Sequence, residues 1–553
     1  VAPHGYGLVH PAALTSVPPT AAHPSIADPR EDVHRGGAIP LAPALLLTAA
    51  SAGMYALAFP PIAARVLAWI ALVPLLVAIR GASPARRLAL GALWTLLSGW
   101  GVGTWMPGAV AGYFDQPLAV GLGLFLLVTA LMAAPYYMAF TAAYEPLARG
   151  AGAAAPLLVG AAWAAAELAR GRLLNGTLLY VGNSPWATFG YSQAGILPVI
   201  QIAAVTGVYG ISFVLACVNA AVAEVVWKRV RRRPVGPREW RGLGVAAGTL
   251  GLVLGFGAHG LRSGTGAPAP AGAVPIAIAQ ANLSGAARWD TGGPARTLDV
   301  YLRLTLDAFA RGRPAIVFWP EAALTFFLES EDLYRRLIGA TLHRYDAELV
   351  LGAPRAAGPE GSAPYANSVY LMSSDGTLRA RYDKQYLLPF MEYLPLRLDM
   401  ARRRFGRIRE FSPGGTAPPL PTRAGPAGVL ICNEALLPQV ATRRVAEGSA
   451  YLLNPSNDSW VPDAGFARQQ FDIAALRAVE QRAYLVRASD SGPSGVVDPL
   501  GRVVAATAPL TRDVLLATIA PTTGRSLYGR VGDAFGGLCV LATALALLRG
   551  DRL

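Results

Sequence analysis

The sequence predicts an α-helical membrane bundle carrying an exported α/β domain. Hydrophobic residues make up 53% of the chain and charged residues only 15%, against a charged share of about 25% in soluble domains. Apolar runs near the ~20 residues that cross ~30 Å of hydrocarbon recur through the first half. From residue 274 onward short apolar strands alternate with longer helical stretches, the pattern of an α/β domain with a mixed sheet. A length of 553 residues leaves room for two or three such units.

Residues 1–38 are rich in Pro, Ala and His without apolar periodicity and read as a disordered tail. No basic stretch there leads directly into a short apolar core, which argues against a cleaved signal peptide. Eight spans follow, at 40–58, 61–79, 87–106, 117–143, 152–170, 207–227, 241–259 and 533–548. The expected division is a tail (1–38), a membrane domain of seven transmembrane helices (39–260), an exported domain (261–530), and a final transmembrane helix with a short cytoplasmic tail (531–553).

Charge placement sets the expected orientation. A net charge of +14 suggests nucleic acid only if the basic residues share one surface; here many sit in short loops between apolar runs, so no nucleic-acid partner is expected. With the N-terminus in the cytoplasm, the inner loops hold Arg80, Arg86, Arg87 and Arg149, then Lys228, Arg229, Arg231, Arg232, Arg233, Arg238 and Arg241, and finally Arg549 and Arg552. The opposite loops hold no Lys or Arg over 107–116 and only Arg172 over 171–206. The excess of Lys and Arg on cytoplasmic loops then places residues 260 to about 530 on the periplasmic or extracytoplasmic face of the plasma membrane.

Strands are expected at 274–280, 315–319, 348–354, 368–374, 428–432, 451–454 and 484–489, with helices over 326–345 and 468–482. The turns "SDGTL" and "DPLGR" fit antiparallel hairpins. Three strand ends each deliver one reactive side chain, and strand ends are where open α/β sheets assemble their sites. "VFWPEAAL" places Glu321 just past a strand: either a carboxylate stabilised by a helix N-terminus, or a general base raised by the apolar Phe318 and Trp319. "VLICNEALLP" ends a strand in Cys432, which taken alone reads first as a buried apolar cysteine and second as a thiolate favoured at a strand-to-helix turn. Cys217 and Cys539 lie in apolar runs and the six histidines are scattered, so neither a disulfide nor a metal site is expected, and no cofactor.

Lys384, in "RARYDKQYLLPFMEYLP", is one of two lysines beside 46 arginines. It is either a chance survivor of arginine bias or a compact cation for a developing oxyanion, which a bulkier guanidinium serves less well.

Glu321, Lys384 and Cys432, in that order, resemble the Glu–Lys–Cys triad of the nitrilase superfamily, and with the spans around them the resemblance narrows to its membrane-bound apolipoprotein N-acyltransferase family. Further similar motifs are "QANLSGAARWD" with Trp289, "PFMEYLP" with Glu392, "CNEALLP" with Glu434, and "NPSNDSW" with Asn457, Asp458 and Trp460. The membrane half adds "WAAAELARG" with Trp163, Glu167 and Arg170, and "SPWATFGYSQ" with Pro185, Trp186, Gly190, Tyr191 and Gln193. Asn433, where the family commonly has an aromatic residue, and Val461, where it usually has phenylalanine, depart from the pattern.

The resemblance implies an α–β–β–α sandwich for the exported domain and a monomeric acyltransferase working in two steps. A phospholipid acyl donor loads Cys432 as a thioester, with Glu321 as base and Lys384 with the Asn433 backbone N–H on the oxyanion. The α-amino group of a diacylglyceryl-lipoprotein acceptor then takes the acyl chain. Glu392, Glu434, Asn433, Trp289, Asn457 and Trp460 are implied to support the triad or bind substrate, and Glu167 with Arg170 reads as either a headgroup contact or an interfacial ion pair. A membrane-tethered amidohydrolase and a silent anchor for a partner enzyme are the competing expectations.

Overall fold

The computed structural model describes residues 38–173, 186–263, 272–283, 293–356, 365–389, 391–393, 411–522 and 524–550. Residues 1–37 of the tail, Pro185, Trp289 and Arg552 lie outside them, as does the arginine-rich stretch 401–410. The helices of the first half are α1 (Leu41–Leu57), α2 (Val73–Ile79), α3 (Pro84–Gly103), α4 (Trp105–Phe114), α5 (Leu118–Met132), α6 (Ala134–Gly150), α7 (Ala155–Arg172), α8 (Val208–Val230) and α9 (Pro237–Ser263).

Among the described residues three helical segments are long and apolar enough to cross a membrane: Gly152–Arg172, α8 and α9. A fourth appears if α5 and α6, which meet at a 44° bend, form one span. The eight expected spans are therefore not all continuous helices. The second breaks into a 3-10 turn, Arg65–Trp69, and the seven-residue α2, and the stretch expected as a loop on the side opposite the cytoplasm, 107–116, is largely the extra helix α4.

Backbone freed by such a break must find partners when no water is near. Buried Asn219 of α8 accepts from Leu72 N–H (2.8 Å) and donates to the Ala68 carbonyl (2.9 Å), and Ser51 of α1 donates to Ala71 O (2.7 Å).

The α/β domain holds β1 (Val274–Gln280), α10 (Gly293–Arg311), β2 (Ile316–Phe318), α11 (Asp332–Tyr345), β3 (Glu348–Ala356), β4 (Tyr365–Met372), β5 (Leu378–Asp383), β6 (Leu420–Thr422), β7 (Gly425–Val429), α12 (Pro438–Ala446), β8 (Tyr451–Ser456), α13 (Ala464–Gln481), β9 (Leu485–Ser489), β10 (Gly495–Val497), β11 (Val503–Ala506) and β12 (Asp513–Ile519). Helix α14 (Ala534–Gly550) follows. The strands form two six-stranded sheets, ordered β12-β1-β2-β3-β4-β5 and β11-β10-β9-β8-β7-β6. Each has a parallel centre, β1-β2-β3 or β7-β8-β9, with antiparallel flanks. Both expected hairpins are present, joining β4 to β5 and β10 to β11.

Strand alternation builds the layers, because successive side chains point to opposite faces. Ile276, Ile278, Ile316, Phe318 and Val350 meet Val429, Ile431, Leu453 and Val486 between the sheets. Their neighbours Ala277, Val317 and Leu349 face Tyr301, Phe309, Ile338 and Leu342 of α10 and α11. Leu430, Leu452 and Leu485 face Val440 of α12 and Phe471 and Ala474 of α13. The result is an α–β–β–α sandwich.

Helix α13 is buried on both sides. Its Ile473, Leu476 and Val479 belong to the apolar core of the bundle, and polar ties cross the same seam. Gln469 Nε2 donates to Pro60 O (2.8 Å) and Val102 O (3.1 Å), Arg477 donates to the Tyr191 hydroxyl (3.0 Å), and Val208 N–H donates to Glu480 (2.9 Å). Burial pushes the Asp472 carboxyl up to about 6 against the pull of Arg65, 3.2 Å away, and burial pushes Glu480 up to about 7 against Arg477.

An acid raised in the folded state holds a proton there that the unfolded chain has already lost, so its contribution is fully present below the unfolded value and is lost as pH rises through the folded one. The Tm of the detergent-solubilised protein should therefore fall as pH rises from 5 to 7. Asp472→Asn combined with Glu480→Gln should flatten that slope; an unchanged slope contradicts the assignment.

Candidate active site

Glu321 lies three residues beyond β2. Its segment is pinned to β3 by Trp319 N–H on Val350 O (2.8 Å) and Gly352 N–H on Pro320 O (3.1 Å). The approach is so close that a Cβ at Gly352 would come within 2.4 Å of Pro320 O and 2.7 Å of Glu321 Cα, so glycine is required there. Lys384 follows β5 directly, its N–H on Asn367 O (2.8 Å) and its carbonyl held by Gly414 N–H (2.7 Å).

Cys432 stands three residues past β7, at φ +49°. A non-glycine residue in that left-handed region carries backbone strain that its surroundings must hold. Glu434 supplies part of that hold. Fully buried, it accepts from Ile431 N–H (2.7 Å), Gln385 N–H (2.8 Å), Tyr386 N–H (3.1 Å) and the Tyr382 hydroxyl (2.9 Å). One carboxylate thereby ties the Cys432 turn to the chain just after Lys384.

The side chains converge. Lys384, 1% exposed, places Nζ 2.8 Å from Glu392 Oε2 and 3.5 Å from Glu321 Oε1. Asn367 Nδ2 donates to Glu321 Oε1 (2.7 Å) and to Glu392 Oε1 (2.9 Å). Asn457 N–H holds Glu321 Oε2 (2.8 Å), and Leu388 N–H holds Glu392 Oε2 (2.7 Å).

Burial raises the Glu321 carboxyl, with Lys384 opposing and Glu392 reinforcing the rise. Burial works against the Lys384 ammonium, but Glu392 and Glu321 outweigh it and keep the amine protonated. Burial and the Glu321 charge push the Cys432 thiol up, while Lys384 pulls it down. The arrangement is a buried cluster in which one protonated amine lies between two carboxylates, and burial lifts the proton affinity of both Glu321 and Cys432.

Of the remaining expected residues, Asn457 serves through its backbone N–H. Asn433 Nδ2 donates to Tyr386 O (3.1 Å) while its Oδ1 is buried without a partner. Trp460 packs with Phe466 and Trp105, rings 5.5 and 6.1 Å apart, beside Trp186 and Val461, so it belongs to an aromatic seam between the α/β domain and the bundle. Glu167 and Arg170 are buried inside the bundle. Glu167 accepts from Phe189 N–H (2.7 Å), and Arg170 donates to Thr188 Oγ1 (3.3 Å) over the Tyr137 ring, which corrects the expectation of a headgroup contact or an interfacial pair.

Sequence reasoning did not single out Asn367, Asn454 or Arg487. The available signal was a polar residue at a buried position of an otherwise apolar strand, as in "YANSVYLM" and "YLVRAS".

Two sheets back to back, with a carboxylate, a lysine and a cysteine at their strand ends, define a carbon–nitrogen hydrolase type of domain. The Carbon-nitrogen hydrolase family model matches residues 276–528, and the model described as Apolipoprotein N-acyltransferase N-terminal domain matches residues 51–221. The apolipoprotein N-acyltransferase of Geobacter metallireducens is 31% identical over 507 residues, covering 90% of this chain and 94% of that one. That of Allorhizobium ampelinum is 32% identical, covering 83% and 86%. An amidase of the nitrilase superfamily from Nesterenkonia AN1 is similar over 47% of this chain and 94% of its own, at 20% identity and a TM-score of 0.35. The chain belongs to the apolipoprotein N-acyltransferase family.

Asn367 favours the ionised form of Glu321. Any reaction that needs that carboxylate as base is present above its raised pKa and fades as pH falls through it. Asn367→Ala should move the acid limb of Cys432 acylation upward by on the order of one pH unit, read from rate against pH with a fluorescent phospholipid. An acid limb that stays in place rules out this coupling.

Proposed function

We propose that the protein moves an acyl chain from a membrane phospholipid, through a thioester on Cys432, to the α-amino group of a diacylglyceryl-cysteine at a lipoprotein N-terminus. The observation that carries this reading is the buried Lys384 ammonium between Glu321 and Glu392, in a domain seated on a bundle of apolar helices. The family membership supports the choice of substrates.

In the first step Glu321 takes the Cys432 proton and the thiolate attacks the ester carbonyl. Lys384 and the Asn433 backbone N–H stabilise the tetrahedral oxyanion, and a dry, prearranged donor of this kind is worth about 3 kcal/mol. Collapse breaks the ester C–O bond, and the leaving alkoxide of the lysophospholipid takes the proton back from Glu321. In the second step the lipoprotein amine attacks the thioester, Glu321 accepts the amine proton, and collapse expels the thiolate, which is then reprotonated. A covalent intermediate shared by two substrates gives ping-pong kinetics.

Both substrates are anchored in lipid, and the packed rings of Trp105, Trp186, Trp460 and Phe466 join the segment after Asn457 to the helices of the bundle. The reading includes eight membrane passages, some through broken helices, with both termini cytoplasmic and the α/β domain exported. It further takes the working unit to be a monomer.

Purified protein incubated with phospholipid should gain one acyl mass on Cys432 and lose it to a diacylglyceryl peptide. No adduct refutes the transfer mechanism, and an adduct discharged by water alone makes the protein a hydrolase. Lys384→Arg should insert and fold, yet form the acyl-enzyme about 100-fold or more slowly, because the larger guanidinium cannot occupy the same fully packed position.

A further inference from the structure

Around the Cys432 turn lies a buried ionic network that reaches the Cys432 carbonyl through Asn454 and the Cys432 thiol through Ser456. Parallel pairing sets Asn454 of β8 opposite Arg487 of β9, and Ser456 opposite Ser489. The four polar residues thus share one face of the sheet at the end nearest Cys432. All are 1% exposed or less.

Arg487 Nη1 donates to Asn454 Oδ1, and Arg487 Nη2 donates to Asp458 Oδ2 (2.6 Å) and to Ser456 Oγ (3.3 Å). Asp458 also accepts from Ser456 Oγ (3.0 Å) and Ser489 Oγ (2.7 Å). With its oxygen held by the guanidinium, the Asn454 amide turns its Nδ2 onto two backbone carbonyls, those of Leu430 (2.5 Å) and Cys432 itself (3.2 Å). The carbonyl it grips is that of the residue at φ +49°. A guanidinium donates along a fixed fork, so one side chain fixes both the amide orientation and the Asp458 carboxylate.

A buried ion pair of this kind adds little net stability compared with apolar packing, so its cost needs another return. We propose that Arg487 is a positioning residue: acting through Asn454, it holds the left-handed Cys432 turn so that the thiol and the following N–H are aimed for acyl transfer. Asp458 pushes the Cys432 proton affinity up, and its pairing with the Arg487 guanidinium offsets part of that push. The inference rests on the acyltransfer reading for its catalytic consequence, while the geometry of the turn stands apart from it.

The test separates position from charge. Arg487→Met leaves Asp458 unpaired and should shift the pH midpoint of Cys432 alkylation by iodoacetamide upward. Arg487→Met with Asp458→Asn removes both charges and should return that midpoint toward the wild-type value. It should still form the acyl-enzyme about 10- to 100-fold more slowly, with phospholipid KM and Tm little changed. Arg487→Lys, whose single ammonium cannot reach both partners along a fork, should fall between the two.

Wild-type acylation rates in the double variant overturn the inference. If that variant does not fold, Arg487→Lys decides: a wild-type rate and alkylation profile overturn the inference, and a tenfold loss at unchanged KM supports it. If the wild type itself forms no Cys432 adduct, the acyltransfer reading fails, and the alkylation profiles alone judge the role of Arg487.

Discussion

A single lysine ammonium buried between two carboxylates constrains this structure more than any other contact. Taking Lys384, Glu321 and Glu392 out of water costs several kcal/mol per ion before their attraction is counted, so each lone pair and proton needs a partner. The fold supplies them with little redundancy: one amide from Asn367, one backbone N–H from Asn457 and one from Leu388. The cluster is also asymmetric. Glu392 approaches the ammonium more closely than Glu321 does, at 2.8 against 3.5 Å, so the two acids share the charge of Lys384 unequally.

Such a cluster can be assembled only where several chain segments end together. The parallel centres of the two sheets provide that place, because Glu321 follows β2 of one sheet, Cys432 follows β7 of the other, and Lys384 arrives from the antiparallel flank. Two buried anions then fasten the rims to one another. Glu434 joins the Cys432 turn to the residues after Lys384, and Glu321 itself receives the Asn457 N–H from the end of β8. The strained Cys432 backbone is thereby braced from both sides, by Glu434 ahead of it and Asn454 behind.

How much of this was legible in the sequence follows from what each residue interacts with. Strand alternation in "VPIAIAQ" and the unusual lysine of "YDKQY" were readable because periodicity and composition are local properties. The hairpin turns were readable for the same reason. Asn367 and Arg487 were not, because their meaning lies in partners 46 and 33 residues away in the chain, and a polar residue in an apolar strand signals only that some partner exists. Apolar run length located the helices but could not show that the second would break at residues 70–72. That break is tolerated because Asn219, far along the chain, satisfies the freed backbone. Glu167 and Arg170 misled for the converse reason: charge near a helix end suggests the interface, whereas here the pair braces the Thr188–Phe189 turn inside the bundle.

The seam along α13 ties these levels together. One face of that helix completes the outer layer of the sandwich and the other completes the core of the bundle, so the catalytic domain is packed into the membrane part and not merely tethered by its two connections. Charged side chains in the seam, Asp472 and Glu480 among them, weaken it relative to an all-apolar join, since burial raises both carboxyls. In exchange they specify one register between the two parts: an ion pair such as Arg65 with Asp472 is satisfied in a single placement, while apolar surfaces tolerate sliding. Under the proposed mechanism the site needs that fixed register, because an acyl ester presented at one depth can meet the Cys432 sulfur only if the sulfur is held at the same depth.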